Sequence, residues 1–229
     1  MISLILHHDP IVRDAFVRVL SLEKKIQDES GNTLYQHGKW LYLALAKPIA
    51  EIDITELIAN YQPENIYLPS FGRSIDMVHE ETDIVLPNVF LTYNSVIESA
   101  ELDETNRDSF LGQAEFLEIY REQKDYYIED FGLSIGGIAV DNVPPGVHAE
   151  YSDRLMTAYE ADIYLPENLR ECVAIIRAKE LPAIITCGII EGKKNKNYPA
   201  SVLDTTIRNM VTTWRLMEEN TDEAIVVID

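Results

Sequence analysis

Glu191 closes an apolar run that begins at Ala183 and is followed by Gly192. A carboxyl group at the end of a buried strand can keep its proton near neutrality where apolar neighbours such as Ile190 desolvate it, as a general acid must. The plainer reading of the same residue is a solvated carboxylate paired with Lys193 or Lys194. Two further groups have similar settings. His7-His8-Asp9 follows an apolar start, and either imidazole can bind an anion or a hydroxyl group; inside a strand, side alternation lets only one of the two face a cleft. Ser70-Phe71-Gly72-Arg73 follows a short apolar run. There Ser70 and Gly72 would let a ligand approach backbone donors, and Arg73 can pair with an anion or with one of the chain's many carboxylates. Pro69 to Gly72 also reads as a strand-terminating turn.

These groups need elements to position them. Residues 2–6 read as a buried strand, and Val12, Phe16, Val19 and Leu20 then form a helical stripe closed by the polar segment 27–32. A second strand spans 40–46. Ile54, Leu57, Ile58 and Tyr61 follow at helical spacing behind an Asp53 to Glu56 capping pattern. Residues 66–68 form a short strand, and 83–93 are extended with a break at Pro87. An acidic loop covers 98–108, a helix 109–123 and a glycine-punctuated strand 131–140; Tyr126-Tyr127 near that strand can stack on a planar ligand or simply pack. Residues 162–165 and 183–189 are strands on either side of a helix carrying Leu169, Cys172, Val173 and Ile176. The last helix places Ile207, Met210, Val211 and Trp214 on one face. Strands alternating with helices imply one α/β domain over 1–229, with a largely parallel sheet flanked by helices and a ligand cleft at the carboxyl ends of the strands.

Composition narrows the partners. With 229 residues, 46% hydrophobic, the chain can bury a sizeable core. A formal charge of −20 and no basic stripe argue against nucleic acid, and the same field opposes phosphate unless local donors outweigh it. No apolar run approaches the ~20 residues of a membrane span. Cys172 and Cys187 are far apart in apolar stretches, which suits reduced core thiols and a cytoplasmic setting. No cofactor or metal motif stands out.

The strand ends also resemble the purine nucleoside and uridine phosphorylase family, whose superfamily includes methylthioadenosine nucleosidase-like members. Leu4-Ile5-Leu6-His7-His8-Asp9-Pro10 with Arg13 resembles the family's apolar strand ending in Gly-Asp-Pro and a nearby arginine. Ile66-Tyr67-Leu68-Pro69-Ser70-Phe71-Gly72 resembles the strand ending in Gly-Ser-x-Gly, and Asp83-Ile84-Val85 its Gly-Asp-Val-Val. Glu167-Asn168 lies where the family has Met-Glu, Glu191 where its Ser-Asp pair ends, and Thr205 to Met210 resembles the start of its last helix. The resemblance implies a single nucleoside phosphorylase-like domain with a mixed central sheet and a homo-oligomer of at least two subunits. It implies a small-molecule nucleoside as partner, with phosphate or water as nucleophile, and no separate cofactor.

Carried over position by position, it makes Glu191 the catalytic acid that protonates the base, and His8, Asp9, Arg13, Ser70, Gly72, Arg73, Glu167 and Asn168 the ligand-binding set. The departures concern phosphate and acid assistance. His8 replaces the glycine of Gly-Asp-Pro, Arg13 is displaced by one position, and Tyr67 stands in place of a phosphate-binding arginine. No arginine stands immediately before Asn32-Thr33-Leu34, where a neighbouring subunit would lend one. Asn168 replaces the ribose-binding glutamate, Leu203 the arginine that assists the acid, and Ala139 an aromatic residue that contacts the base. The alternative is a non-catalytic descendant that binds a nucleoside-like ligand or serves as an assembly subunit.

Overall fold

The computed structural model describes residues 2–74, 79–87, 89–92, 108–109, 133–135, 138–141, 163–164, 183–191 and 200–225. Chain order begins β1 (Ser3–His7), α1 (Pro10–Leu20), β2 (Glu23–Gln27), β3 (Thr33–His37), β4 (Trp40–Ala44) and α2 (Ile54–Tyr61). It continues β5 (Asn65–Ser74), β6 (Ile84–Leu86), β7 (Val89–Thr92), β8 (Asp108–Ser109), β9 (Leu133–Ile135), β10 (Ile138–Asp141), β11 (Ile163–Tyr164), β12 (Ala183–Glu191) and a final helix, α3 (Ala200–Ile225).

The expected α/β fold is present as one mixed sheet in the order β2-β3-β4-β1-β5-β11-β10-β7-β8, with β12 on β5 and β6, and β9 on β6. β1 runs parallel to β4 and β5, and β5 parallel to β12, whereas β2–β3, β3–β4, β5–β11, β6–β12 and β7–β8 are antiparallel. The central strands read as continuous apolar runs because both their faces are covered. Leu4, Leu6, Leu41, Leu43, Ile66 and Leu68 pack on the α2 side, while Ile5, Tyr42, Tyr67 and Ile184 alternate to the side of α1 and α3. Each such buried side chain contributes roughly 1.5–3 kcal/mol by leaving water.

Local chemistry sets the element ends. Asp53 caps α2, its Oδ1 accepting from Thr55 N–H at 2.9 Å and Glu56 N–H at 3.2 Å. α1 stops at Leu20, with Ser21 in the left-handed region, short of the polar segment 27–32. Residues 23–37, in which the sequence shows only the polar segment 27–32, form an edge hairpin. At Gly188 a Cβ would lie 2.2 Å from Thr206 Cγ2 and 2.7 Å from Met210 Cε, so glycine lets α3 settle directly onto β12. Arg18 pairs with Asp204 at 2.7 Å and joins α1 to α3.

Two boundaries correct the sequence reading. β5 does not end at Leu68: Pro69, Ser70, Phe71 and Gly72 lie inside a ten-residue strand rather than a turn. β12 likewise extends through Glu191. The run 131–140 contains β9 and β10, and 83–93 contains β6 and β7, in accord with the break at Pro87. Glu167, Asn168, Tyr126, Tyr127, Gly192, most of 109–123 and the helix at 169–176 lie outside the described residues.

Candidate active site at the split of the sheet

β5 has one edge shared by two strands. β1 pairs with Asn65 to Tyr67, and β11 with Arg73 and Ser74. The other edge is filled by β12 from Ile66 to Arg73. Arg73 pairs with both β11 and β12, so these strands flank it and β11 lies on the β1 edge. From Leu68 to Gly72 that edge has no partner among the described strands. The split explains Pro69, which lacks a ladder donor and is tolerated where an edge is open. It also creates a crevice at the carboxyl end of β1, the place where open α/β sheets bind ligands.

His7, Phe71, Arg73 and the backbones of Gly72 and Glu191 meet at this split, whereas Ser70, by strand alternation, is on the α2 face with Leu68 and Cys187. His7 is buried, and its Nδ1 accepts the Asp9 N–H at 3.1 Å. Its neutral ring therefore carries the proton on Nε2. The His7 ring stacks on His8 at 5.3 Å between centroids and meets Phe71 edge-on at 5.8 Å, so the ends of β1 and β5 are joined by an aromatic contact. Both imidazoles thus lie together. β1 ends at His7, and strand alternation does not extend to His8. Ser70 is buried opposite Cys187, and Gly72 is buried opposite Ile189. Arg73 lies in register with Glu191 and Tyr164.

Glu191 is reached through a register shift between Ile189 and Glu191. Bulges of this kind re-aim side chains beside functional sites. Against the same strand end lies a feature with no sequence signal: Thr82, a β-branched residue at φ 79°. That backbone region favours glycine, which enters it without steric cost.

The remaining sequence candidates are engaged elsewhere. Asp9 caps α1, its Oδ1 accepting from Ile11 N–H at 2.7 Å and Val12 N–H at 3.3 Å. One helical position corresponds to ~100° of rotation. Arg13, displaced by about one position from the family's arginine, turns to Asp14, with Nε and Nη2 each 2.8 Å from Oδ1. That hydrogen bond holds the Arg13 guanidinium above its ordinary range, and Tyr35 and Tyr42 add smaller contributions. Tyr67 is fully buried and donates to Glu218 Oε1 at 3.0 Å on the side of α3. Leu203 is a core residue.

Asn32 is locked between strands, accepting from Ala46 N–H at 2.9 Å and donating to Asp28 at 2.9 Å. It borders an open cavity of ≈ 370 Å³ that also meets Asp28, Lys47, Glu51, Asp53 and Glu56. Four carboxylates against one lysine make that cavity unsuited to phosphate. Among the described residues no three His, Cys, Asp or Glu side chains converge as metal ligands, and no helix is long and apolar enough to cross a membrane.

No protein-family model and no curated protein matches the chain. Solved structures do. The 5'-methylthioadenosine/S-adenosyl homocysteine nucleosidase of Campylobacter jejuni has a TM-score of 0.64, covering 95% of this chain and 99% of that one at 11% identity. The corresponding Helicobacter pylori nucleosidase, complexed with a substituted pyrrolidin-3-ol, has a TM-score of 0.63, covering 96% of this chain and 97% of that one at 11% identity. Futalosine hydrolase of Helicobacter pylori has a TM-score of 0.61, covering 92% and 97% at 12% identity. The chain therefore shares the α/β fold of these hydrolases, with its crevice where β5 passes from β1 to β11.

Proposed function

We propose that this protein is a nucleosidase that cleaves the N-glycosidic bond of a nucleoside with water as nucleophile. The observation that carries the reading is the split of β5, which brings the end of β12, with Glu191, beside Gly72, Arg73 and the His7–Phe71 contact in a nucleosidase fold. In this reading Glu191 donates its proton to a ring nitrogen of the base as the bond from that base to the sugar breaks. The bonding electron pair leaves with the base. Water then adds its oxygen to the cationic sugar carbon and returns a proton to the carboxylate. His8, Gly72 and Arg73 form the wall of the site, and Glu167 and Asn168 hold the ribose hydroxyls.

Water is favoured over phosphate by the disposition of the expected anion ligands. Arg13 is engaged by Asp14, and Tyr67, in place of the family's second arginine, donates to Glu218. A planar fork of donors aimed into the cleft is what phosphate recognition needs. A ligand-binding protein without catalysis is the second reading, and buried Leu203 in place of the acid-assisting arginine favours it. Base release from a panel of purine and pyrimidine nucleosides, read by chromatography with and without phosphate, separates the two. Release that needs no phosphate supports the nucleosidase. Thermal stabilisation by a nucleoside without any release supports the binding protein. Assembly as at least a dimer belongs to the proposal and is checked by sedimentation at micromolar concentration.

A further inference from the structure

We infer that Asn209 is a positioning residue for the strand end that presents Glu191, acting through the strained turn at Thr82; its catalytic part rests on the nucleosidase reading above. Thr82 at φ 79° occupies the left-handed region, which β-branched residues enter only under constraint. The constraint is visible. Thr82 N–H donates to Ile189 O at 2.8 Å, Ile189 N–H donates to Asp83 O at 2.9 Å, and Asn209 Nδ2 donates to Thr82 O at 3.0 Å. Glu80 N–H closes the turn on Asp83 Oδ2 at 2.8 Å.

The turn therefore grips Ile189, the last residue of β12 in regular register before the bulge that leads to Glu191. One residue before Thr82, Glu81 buries Oε1 with no hydrogen-bond partner among the described residues. Two adjacent unfavourable features at a strand end persist only where surrounding contacts over-determine them, and such places cluster at functional sites. The over-determining contact comes from α3. Thr206 and Met210 fix this helix against Gly188, and Asn209 between them supplies the amide that holds the Thr82 carbonyl. Asn209 thereby sets the backbone path of Ile189 and, through the bulge, the placement of Glu191.

The test uses Asn209→Asp, which keeps the shape and loses the donor, Thr82→Gly, and the double variant. Glycine holds a left-handed turn without strain, so it no longer needs the clamp. kcat and KM for base release are measured beside amide hydrogen exchange at Thr82 and Ile189. Asn209→Asp is expected to lower kcat by about ten- to a hundredfold with KM changed less than about threefold, as ångström-scale misplacement of a reacting group does. It is also expected to speed exchange at both amides by about tenfold, the mark of local opening. The double variant recovers most of both losses. Unchanged kcat with unchanged Ile189 exchange in Asn209→Asp overturns the inference, as does a double variant no better than the single one. Should the wild type release no base, the nucleosidase reading falls separately, and exchange decides the clamp: faster exchange reversed by Thr82→Gly supports it, and unchanged exchange overturns it.

Discussion

The Tyr67 hydroxyl and the Glu218 carboxylate are joined at 3.0 Å in the interior, 151 residues apart in sequence. Ser3 Oγ donates to the same carboxylate oxygen at 2.6 Å, and Lys39 Nζ pairs with the other. One acidic side chain of α3 thus satisfies donors from β1, from β5 and from the residue preceding β4. Tyr67 stacks on Trp214 at 4.6 Å and fixes the helix face above it. Glu218→Ala would leave the Ser3 and Tyr67 hydroxyls without this acceptor, so we expect stability to fall by about 2–3 kcal/mol in urea unfolding. A change under about 0.5 kcal/mol would show that the network contributes little.

Tyr42 is the opposite case, because its hydroxyl is buried without a partner among the described residues. Tyr42→Phe is therefore expected to stabilise the fold, by about 1 kcal/mol, since it removes an unsatisfied polar group and keeps the ring. Burial also pushes the Tyr42 hydroxyl above the ordinary phenol range. The unfolded chain releases that proton from about pH 10 while the folded chain keeps it. Stability contributed by this group is present below that pH and lost as pH rises above it. Unfolding curves for wild type and Tyr42→Phe should diverge above that point, with the variant losing less. Parallel curves would refute the assignment.

Gly188 tests how closely α3 is seated. Gly188→Ala places a methyl group 2.2 Å from Thr206 Cγ2, so we expect a loss of about 2–3 kcal/mol from overpacking. Thr206→Ser deletes that methyl and keeps the hydroxyl that donates to Val202 O at 2.8 Å. The double variant should recover at least half of the loss. No recovery would mean that the clash lies elsewhere.

Features with a local cause were legible in the sequence. The α2 cap was visible because Asp53 acts on residues two and three positions away, and the buried strands because Leu4, Leu41 and Ile66 belong to unbroken apolar runs. The hairpin β2–β3 was not, since Glu23 to Gln27 is exposed throughout and leaves no alternation to detect. Pro69 reads as a terminator because nothing local to it shows that β1 stops pairing at Tyr67. The place of Glu191 at a strand end was legible because it closes an apolar run. Thr82 was missed because a threonine held at positive φ by Asn209, 127 residues away, has no local signature.

Phosphate offers a separate check on the nucleophile. Arg13 is neutralised by Asp14, and the chain carries a formal charge of −20. Titration calorimetry with inorganic phosphate should give no dissociation constant below about 1 mM, where binding contributes only ~4 kcal/mol. Arg13→Ala should leave base release unchanged. Micromolar binding lost in Arg13→Ala would restore phosphate as the nucleophile.

The central claim is tested most directly by base release from wild type and Glu191→Gln, at equal nucleoside occupancy and without phosphate. Glutamine keeps size and hydrogen bonding but has no proton to transfer. General acid help is commonly worth ~10²–10⁴-fold, so turnover should fall by that order while nucleoside affinity stays within a few fold. Equal, nonzero rates in the two proteins would contradict the account.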